Sequence, residues 1–194
     1  AQESRGLGDV YKRQALALNR RHEEGDRERA LRILQQLLEE YGPSPETNGL
    51  LGRIYKDTWE EAQKAGETGR ASAALDAAIA EYGKGFDADP RDYYPGVNLL
   101  TLLLRRGTEE DRELVAELQP VVLFAIGRRG GLSSSDYWDV GTVLELAVIG
   151  GDRELAEKAL GRIELMQPQS WERETTTKNP VSYTHLTLPT TSRV

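Results

Sequence analysis

The sequence predicts an all-α chain, and three features carry that prediction. Apolar residues recur at spacings of three and four in one segment after another. Helix starters (Ser, Thr, Asp) and stop pairs (Gly-Pro, Asp-Pro, Gln-Pro) punctuate those segments. No segment alternates apolar and polar residues for long, as a half-buried strand would.

The elements follow in order. Asp26 can cap RERALRILQQLLEEY, where Ala30, Leu34, Leu37, Leu38 and Tyr41 share a face and Gly42-Pro43 is the stop. Ser44 with Pro45 at the first helical position opens the next helix, whose stripe is Leu51, Ile54, Tyr55, Thr58 and Ala62. Gln63–Gly69 is a polar loop. Thr68 then opens the clearest stripe, Ala71, Ala74, Leu75, Ala78, Ile79, Tyr82 and Phe86, closed by Asp89-Pro90. Tyr93–Gly107 is apolar nearly all round, which predicts the most buried helix, and Arg105-Arg106-Gly107 suits its C-terminus. Thr108 before Glu109, Glu110 and Asp111 is a strong start for the stripe Leu114, Val115, Leu118, Val122 and Ala125. Pro120 is expected to kink or split that helix, and Arg128–Gly131 to end it. Ser133–Ser135 leads into DYWDVGTVLELAVIGG, and Asp152 caps a last stripe from Leu155 to Met166, stopped at Gln167-Pro168. Trp171 onward reads as the start of a further helix.

About seven helices joined by short loops fit either a bundle or a solenoid of helix pairs, and internal repeats favour the second. Ala78, Tyr82 and Pro90, then Ala156, Leu160 and Pro168, follow the second-helix half of a tetratricopeptide repeat. Leu51-Gly52 with Tyr55 follows the first-helix half. Tyr55 to Ala78 is longer than the repeat allows, which places an insertion at Gln63–Gly69. The expected fold is an irregular tetratricopeptide-like helical-pair solenoid.

Both ends read differently. Asp9–Gln14 is the translation of GATGTGTATAAGAGACAG, a transposon end used in sequencing libraries, and Ser4–Gly8 matches the primer before it. Val181–Thr190 is the translation of the reverse complement running into the opposite primer. Residues 1–14 and 180–194 are therefore expected to be adapter-derived and disordered, with a domain over 15–179 cut at both ends.

The chain has 25 basic and 32 acidic residues; removing Arg5, Lys12, Arg13, Arg193, Glu3 and Asp9 with the ends leaves 21 against 30, a net of −9. An acidic surface argues against a nucleic-acid partner. The absence of cysteine excludes disulfide and thiol chemistry and suits a reducing, cytoplasmic compartment. No apolar run reaches membrane-spanning length.

Three stretches carry a more specific signal: GLLGRIYKD (Gly49–Asp57), YGKGFDADPRDYYPGVNLLTLLL (Tyr82–Leu104) and DYWDVGTVLELAVIGGDRELAEKALGRI (Asp136–Ile163). In that order and spacing they resemble the central regulatory region of the apoptosis signal-regulating kinases, which are mitogen-activated protein kinase kinase kinases. That region is known as their TRAFs-binding domain. The resemblance covers about Glu46–Trp171, with Pro168 to Trp171 standing one residue looser than the family's Pro-x-W. It implies stacked tetratricopeptide-like pairs that support self-association and recruit adaptors beside a kinase domain. No Gly-rich loop, His-Arg-Asp or Asp-Phe-Gly of a kinase is present. The Ala-, Arg- and Glu-rich style departs from animal members and points to a bacterial or environmental relative.

Catalytic, cofactor and metal sites are not expected. His22 is the one histidine outside the two ends and has no ligand neighbours. The Gly127–Gly131 turn, Ser133–Ser135 and the Glu39-Glu40 and Glu109–Asp111 clusters read as caps and solvated charge. Asn48 and Asn98 sit on first-type helices, where an Asn can pin a peptide backbone; the alternative is internal hydrogen bonding. Trp59, Trp138 and Tyr93-Tyr94 are read as packing, with peptide docking as the sharper alternative. Asn48, Asn98, Tyr94 and Arg105 form the candidate protein-binding set. The expected function is a non-enzymatic interaction module with a protein or peptide partner, and with neither nucleic acid nor membrane. The alternatives are the regulatory segment of an enzyme whose catalytic domain lies outside this chain, and a structural bundle without a ligand.

Overall fold

A computed structural model describes residues 2–167, with side chains from residue 8 onward. Among the described residues run α1 (Gln2–Arg21), α2 (Asp26–Tyr41), α3 (Pro45–Lys64), α4 (Thr68–Ala88), α5 (Tyr93–Arg106), α6 (Glu109–Arg128), α7 (Tyr137–Ile149) and α8 (Arg153–Leu165). One 3₁₀ turn, Gly131–Ser133, joins α6 to α7. The all-α class is as expected. Pro168, the helix start at Trp171 and residues 180–194 lie outside the described residues. Ala1–Arg106 and Gly107–Val194 are two compact units.

In the first unit neighbouring helices run antiparallel. Along α3 and α4, Asn48 meets Glu81 and Gly85, and Gly52 meets Tyr82. The α2–α3 pair is closed by Arg27, whose guanidinium donates to both oxygens of Glu61 at 2.6 and 2.9 Å. α1 lies parallel to α3, with Asn19 Nδ2 donating to Asp57 Oδ2 at 2.7 Å. Ala15, Ala30, Leu34, Leu37, Leu51 and Ile54 form one core cluster across these three helices. α5 buries Val97 and the run Leu99–Leu103, as its all-round apolar pattern requires.

Within the first unit, glycine lets α3 and α4 approach closely. A Cβ at Gly52 would stand 2.8 Å from the ring of Tyr82, and one at Gly85 3.2 Å from Asn48 Cβ. Tyr82 is fully buried and meets Tyr94 edge-on at a centroid distance of 6.2 Å. The words GRIYKD, YGKGF and YYPGVN thus meet at one three-helix contact: glycine where backbone must approach a ring, aromatic where the ring fills the gap.

Several local expectations need correction. Residues 2–14 are not disordered but continue α1. Asp26 is not the cap of α2: that position is Gly25, in the left-handed region at φ 78°, and Asp26 is the first helical residue. Buried Asp26 instead accepts from Arg21 Nε at 2.7 Å and from the Glu23 amide at 3.1 Å, tying the end of α1 to α2. The polar loop shrinks to 65–67, because α3 runs to Lys64 and α4 begins at Thr68. Pro120 does not split α6, which is one helix from Glu109 to Arg128.

Between residues 8 and 14 only Gly8 is buried, while Val10 and Tyr11 are 56% and 41% exposed. The buried face of α1 is taken up by Ala15 and Asn19. Deleting residues 1–14 is therefore expected to leave the thermal midpoint within about 3 °C of the parent, a shift of about 1 kcal/mol or less. Differential scanning calorimetry checks this.

In the second unit α6 opens with the expected capping box: Thr108 accepts from the Asp111 amide, and the Asp111 carboxylate accepts from that of Thr108. Asp136, rather than Ser133–Ser135, caps α7 by accepting from the Trp138 amide at 2.9 Å. Asp139 of the YWDVG word is 3% exposed and accepts from Ser134 Oγ at 2.8 Å and from Arg129 Nε at 3.4 Å. It holds the turn between α6 and α7 in place. Asp152 caps α8 as expected.

Candidate functional site

The residues expected to bind a partner divide in the structure. Asn48 is fully buried; its Oδ1 accepts from the Ser44 amide at 2.9 Å and its Nδ2 donates to Glu81 Oε2 at 2.8 Å. Both ends of the amide are used, one closing the N-terminus of α3 and one joining it to α4, so Asn48 presents no face to a groove. Asn98 is half-buried; it donates to the Tyr94 carbonyl at 2.9 Å, and its Oδ1 accepts from Lys56 at 3.3 Å. Tyr94 is 40% exposed at the N-terminal end of α5, and Arg105 is exposed at its C-terminal end. The structure therefore does not bring the four together, and places Tyr94 and Arg105 at opposite ends of one helix.

Arg105 has a setting of its own. The end of α3, the start of α4 and the end of α5 enclose a cleft of about 530 Å³. Trp59 and Leu75 give it apolar walls, Thr68 and Ser72 supply hydroxyls, and Arg105 and Arg106 flank it with cations. Antiparallel packing explains the assembly, since it brings residues 59–63, 68–75 and 105–106 to one end of the unit. Trp59 and Leu75 are 8% and 9% exposed, so the apolar lining is nearly covered and what faces outward is polar. Arg106 is already committed to Asp76 Oδ1 at 2.9 Å. Arg105 makes no ion pair among the described residues, and its five donors remain for a ligand. The positive end of the α4 dipole faces the cleft together with the negative ends of α3 and α5, so the cleft's cationic character rests on the two arginines.

The cleft is thus a cationic notch on an acidic chain, and it suits a carboxylate presented on a peptide. Trp59 read as packing in the sequence, and no periodicity joins it to Arg105, 46 positions on. Elsewhere, Trp138 packs edge-on against Tyr137 at 5.3 Å and is 40% exposed. His22 is exposed at the α1–α2 turn, at φ 61°, 3.5 Å from Glu61. The described residues include no group of three or more His, Cys, Asp and Glu side chains able to hold a metal. No helix among them is long and apolar enough to cross a membrane.

A sequence profile described as the MAP3K TRAFs-binding domain matches residues 8–193. The chain is 34% identical over 160 residues to mitogen-activated protein kinase kinase kinase 15 of Mus musculus, covering 81% of this chain and 12% of that protein. It is 33% identical over 175 residues to mitogen-activated protein kinase kinase kinase nsy-1 of Caenorhabditis elegans, covering 85% and 11%. To mitogen-activated protein kinase kinase kinase 5 of Homo sapiens it is 27% identical over 182 residues, covering 92% and 13%. The chain therefore spans about an eighth of the length of these relatives.

Proposed function

The chain belongs to the MAP3K TRAFs-binding domain family, and on that premise we propose that it is a non-enzymatic interaction module that holds an acidic peptide segment of a protein partner in the α3–α5 cleft. The cleft carries the proposal: Arg105, without an acidic partner of its own among the described residues, lines it together with Trp59 and Leu75 on a chain with 32 acidic and 25 basic residues. On such a background a local cationic notch selects an anionic segment and steers its approach. The α3–α4 pair acts as a tetratricopeptide-type unit, with Gly52 admitting the Tyr82 ring, and the cleft opens at its looped end. The family's description supplies the first partner class to test, TRAF proteins. The relatives' names are those of protein kinases, so within a longer protein the module serves regulation of a catalytic domain lying outside this chain.

The test is a titration of a purified TRAF protein onto the whole chain and onto Arg105→Glu. Reversal of this exposed charge in the last turn of α5 costs about 1 kcal/mol or less of stability and weakens binding about tenfold or more, chiefly through a slower association rate at low salt. Equal affinity of the two chains would overturn the cleft as the site. A variant that loses its fold would appear in the midpoint, and the neutral Arg105→Gln then serves in its place.

A further inference from the structure

Two hydroxyls line the α3–α5 cleft beside Arg105, those of Thr68 and Ser72. Threonines inside the helices spend theirs locally: Thr58, Thr101 and Thr142 each donate to the carbonyl four residues back. The Thr68 hydroxyl makes no hydrogen bond among the described residues. Thr68 is also the easier of the two to reach. It opens α4 within a segment, residues 63–70, that is exposed throughout. Gly66 before it lies at φ 73°, Gly69 follows it, and Glu67 at the N-cap makes no side-chain bond to the helix. Such a helix start unwinds readily. Ser72 lies a turn further in, between buried Ala71 and buried Ala74 and Leu75, so drawing it into an extended chain would pull those three from the core.

We propose that Thr68 is a phosphorylation site, and that a phosphate placed there closes the cleft by taking Arg105 from within the same chain. The proposal rests on the cleft being the partner site. In the step, Thr68 Oγ1 attacks the γ-phosphorus of ATP held by a protein kinase. The new P–O bond replaces the bond to ADP, ADP leaves, and the hydroxyl proton passes through the kinase to solvent. A neutral group thereby becomes one of about −1.5 to −2 charges at neutral pH, with three strong acceptor oxygens. Arg106 already holds Asp76 at 2.9 Å, so Arg105 is the cation in the cleft left to answer it. Guanidinium and phosphate pair through two parallel N–H donors. A tethered phosphate stands at an effective concentration of about millimolar, above that of an acidic segment on a separate protein at micromolar levels. It also repels that segment. A cleft that selects an anion is thus switched off by an anion on its own rim.

The test uses the whole chain with phosphothreonine encoded at position 68. A phosphorus NMR titration reads the pair with no partner present: Arg105 lowers the second phosphate pKa by about half a pH unit or more, and Arg105→Gln returns it to about 6. The phosphorylated chain binds a TRAF protein about tenfold more weakly or worse, and phosphatase treatment restores the parent's affinity. Incubating the unmodified chain with ATP and a panel of serine/threonine kinases marks Thr68 ahead of Ser72, read by mass spectrometry of its peptides. A phosphate whose titration ignores Arg105→Gln overturns the proposal. So does a phosphorylated chain that binds at full affinity, or a panel that never marks Thr68. An unmodified chain that binds no TRAF protein tells against the partner reading instead, and the phosphorus titration still judges the pair of Thr68 and Arg105.

Discussion

Tyr82→Ala is expected to destabilise the first unit by about 3–5 kcal/mol, the usual loss on emptying a large aromatic site in a close-packed core. Tyr82 is fully buried, fills the space that Gly52 leaves open, and braces Tyr94 edge-on. The neighbours cannot collapse into the void, because Gly52 has no side chain to advance and the α3 backbone is held by its cap at Ser44. Burial also pushes the Tyr82 hydroxyl well above its ordinary pKa. The converse change, Gly52→Ala, forces a Cβ to 2.8 Å of the ring and costs about 1–3 kcal/mol, which outweighs the gain of about 0.5–1 kcal/mol from removing a helical glycine. Urea unfolding of both variants reads the two losses. The loss for Tyr82→Ala should appear as a lower midpoint, with a slope equal to that of the parent.

Asn48→Ala should cost about 2 kcal/mol by the same measurement, and it separates a structural from a binding role. The substitution leaves the half-buried Ser44 amide without its acceptor and takes a donor from Glu81, which keeps Lys84 at 2.6 Å. Once the variant is folded, at low temperature and without denaturant, its affinity for a partner is expected to match the parent's within about twofold, because the side chain reaches no surface. Arg105→Glu should show the reverse pattern, a stability loss of about 1 kcal/mol or less with clearly weakened binding. The two asparagines looked alike in the sequence. Their fates diverged because Asn48 lies at an N-terminus opposite Glu81, 33 positions away, whereas Asn98 lies mid-helix near Lys56.

Helix starts, stops and inner faces were legible because each depends on residues a few positions apart. Ser44-Pro45, Thr108 with Asp111, and Asp152 are local chemistry, and the structure keeps all three. The family words were legible as words, but that Gly52 answers Tyr82 is a tertiary fact. α6 shows where periodicity runs out. Leu114 and Val115 both fit an apolar stripe, yet Val115 is buried and Leu114 is 37% exposed, since two adjacent apolar rows on one helix do not say which faces the core. Asp26 was misplaced by one position, because a left-handed Gly25 took the cap and freed its carboxylate for Arg21. That bond from Arg21 holds the Asp26 carboxyl below its ordinary pKa. The cleft was illegible for the plainest reason: Trp59, Ser72 and Arg105 come from three helices, and only antiparallel packing joins their ends.

The claim that the α3–α5 cleft is where this chain meets its partner is tested most directly by amide hydrogen exchange, with and without a saturating TRAF protein. Slowed exchange should concentrate at the open end of the first unit, over residues 63–72 and 103–106, and vanish in Arg105→Glu at the same partner concentration. Protection confined to other segments, or protection that survives in Arg105→Glu, would contradict the account.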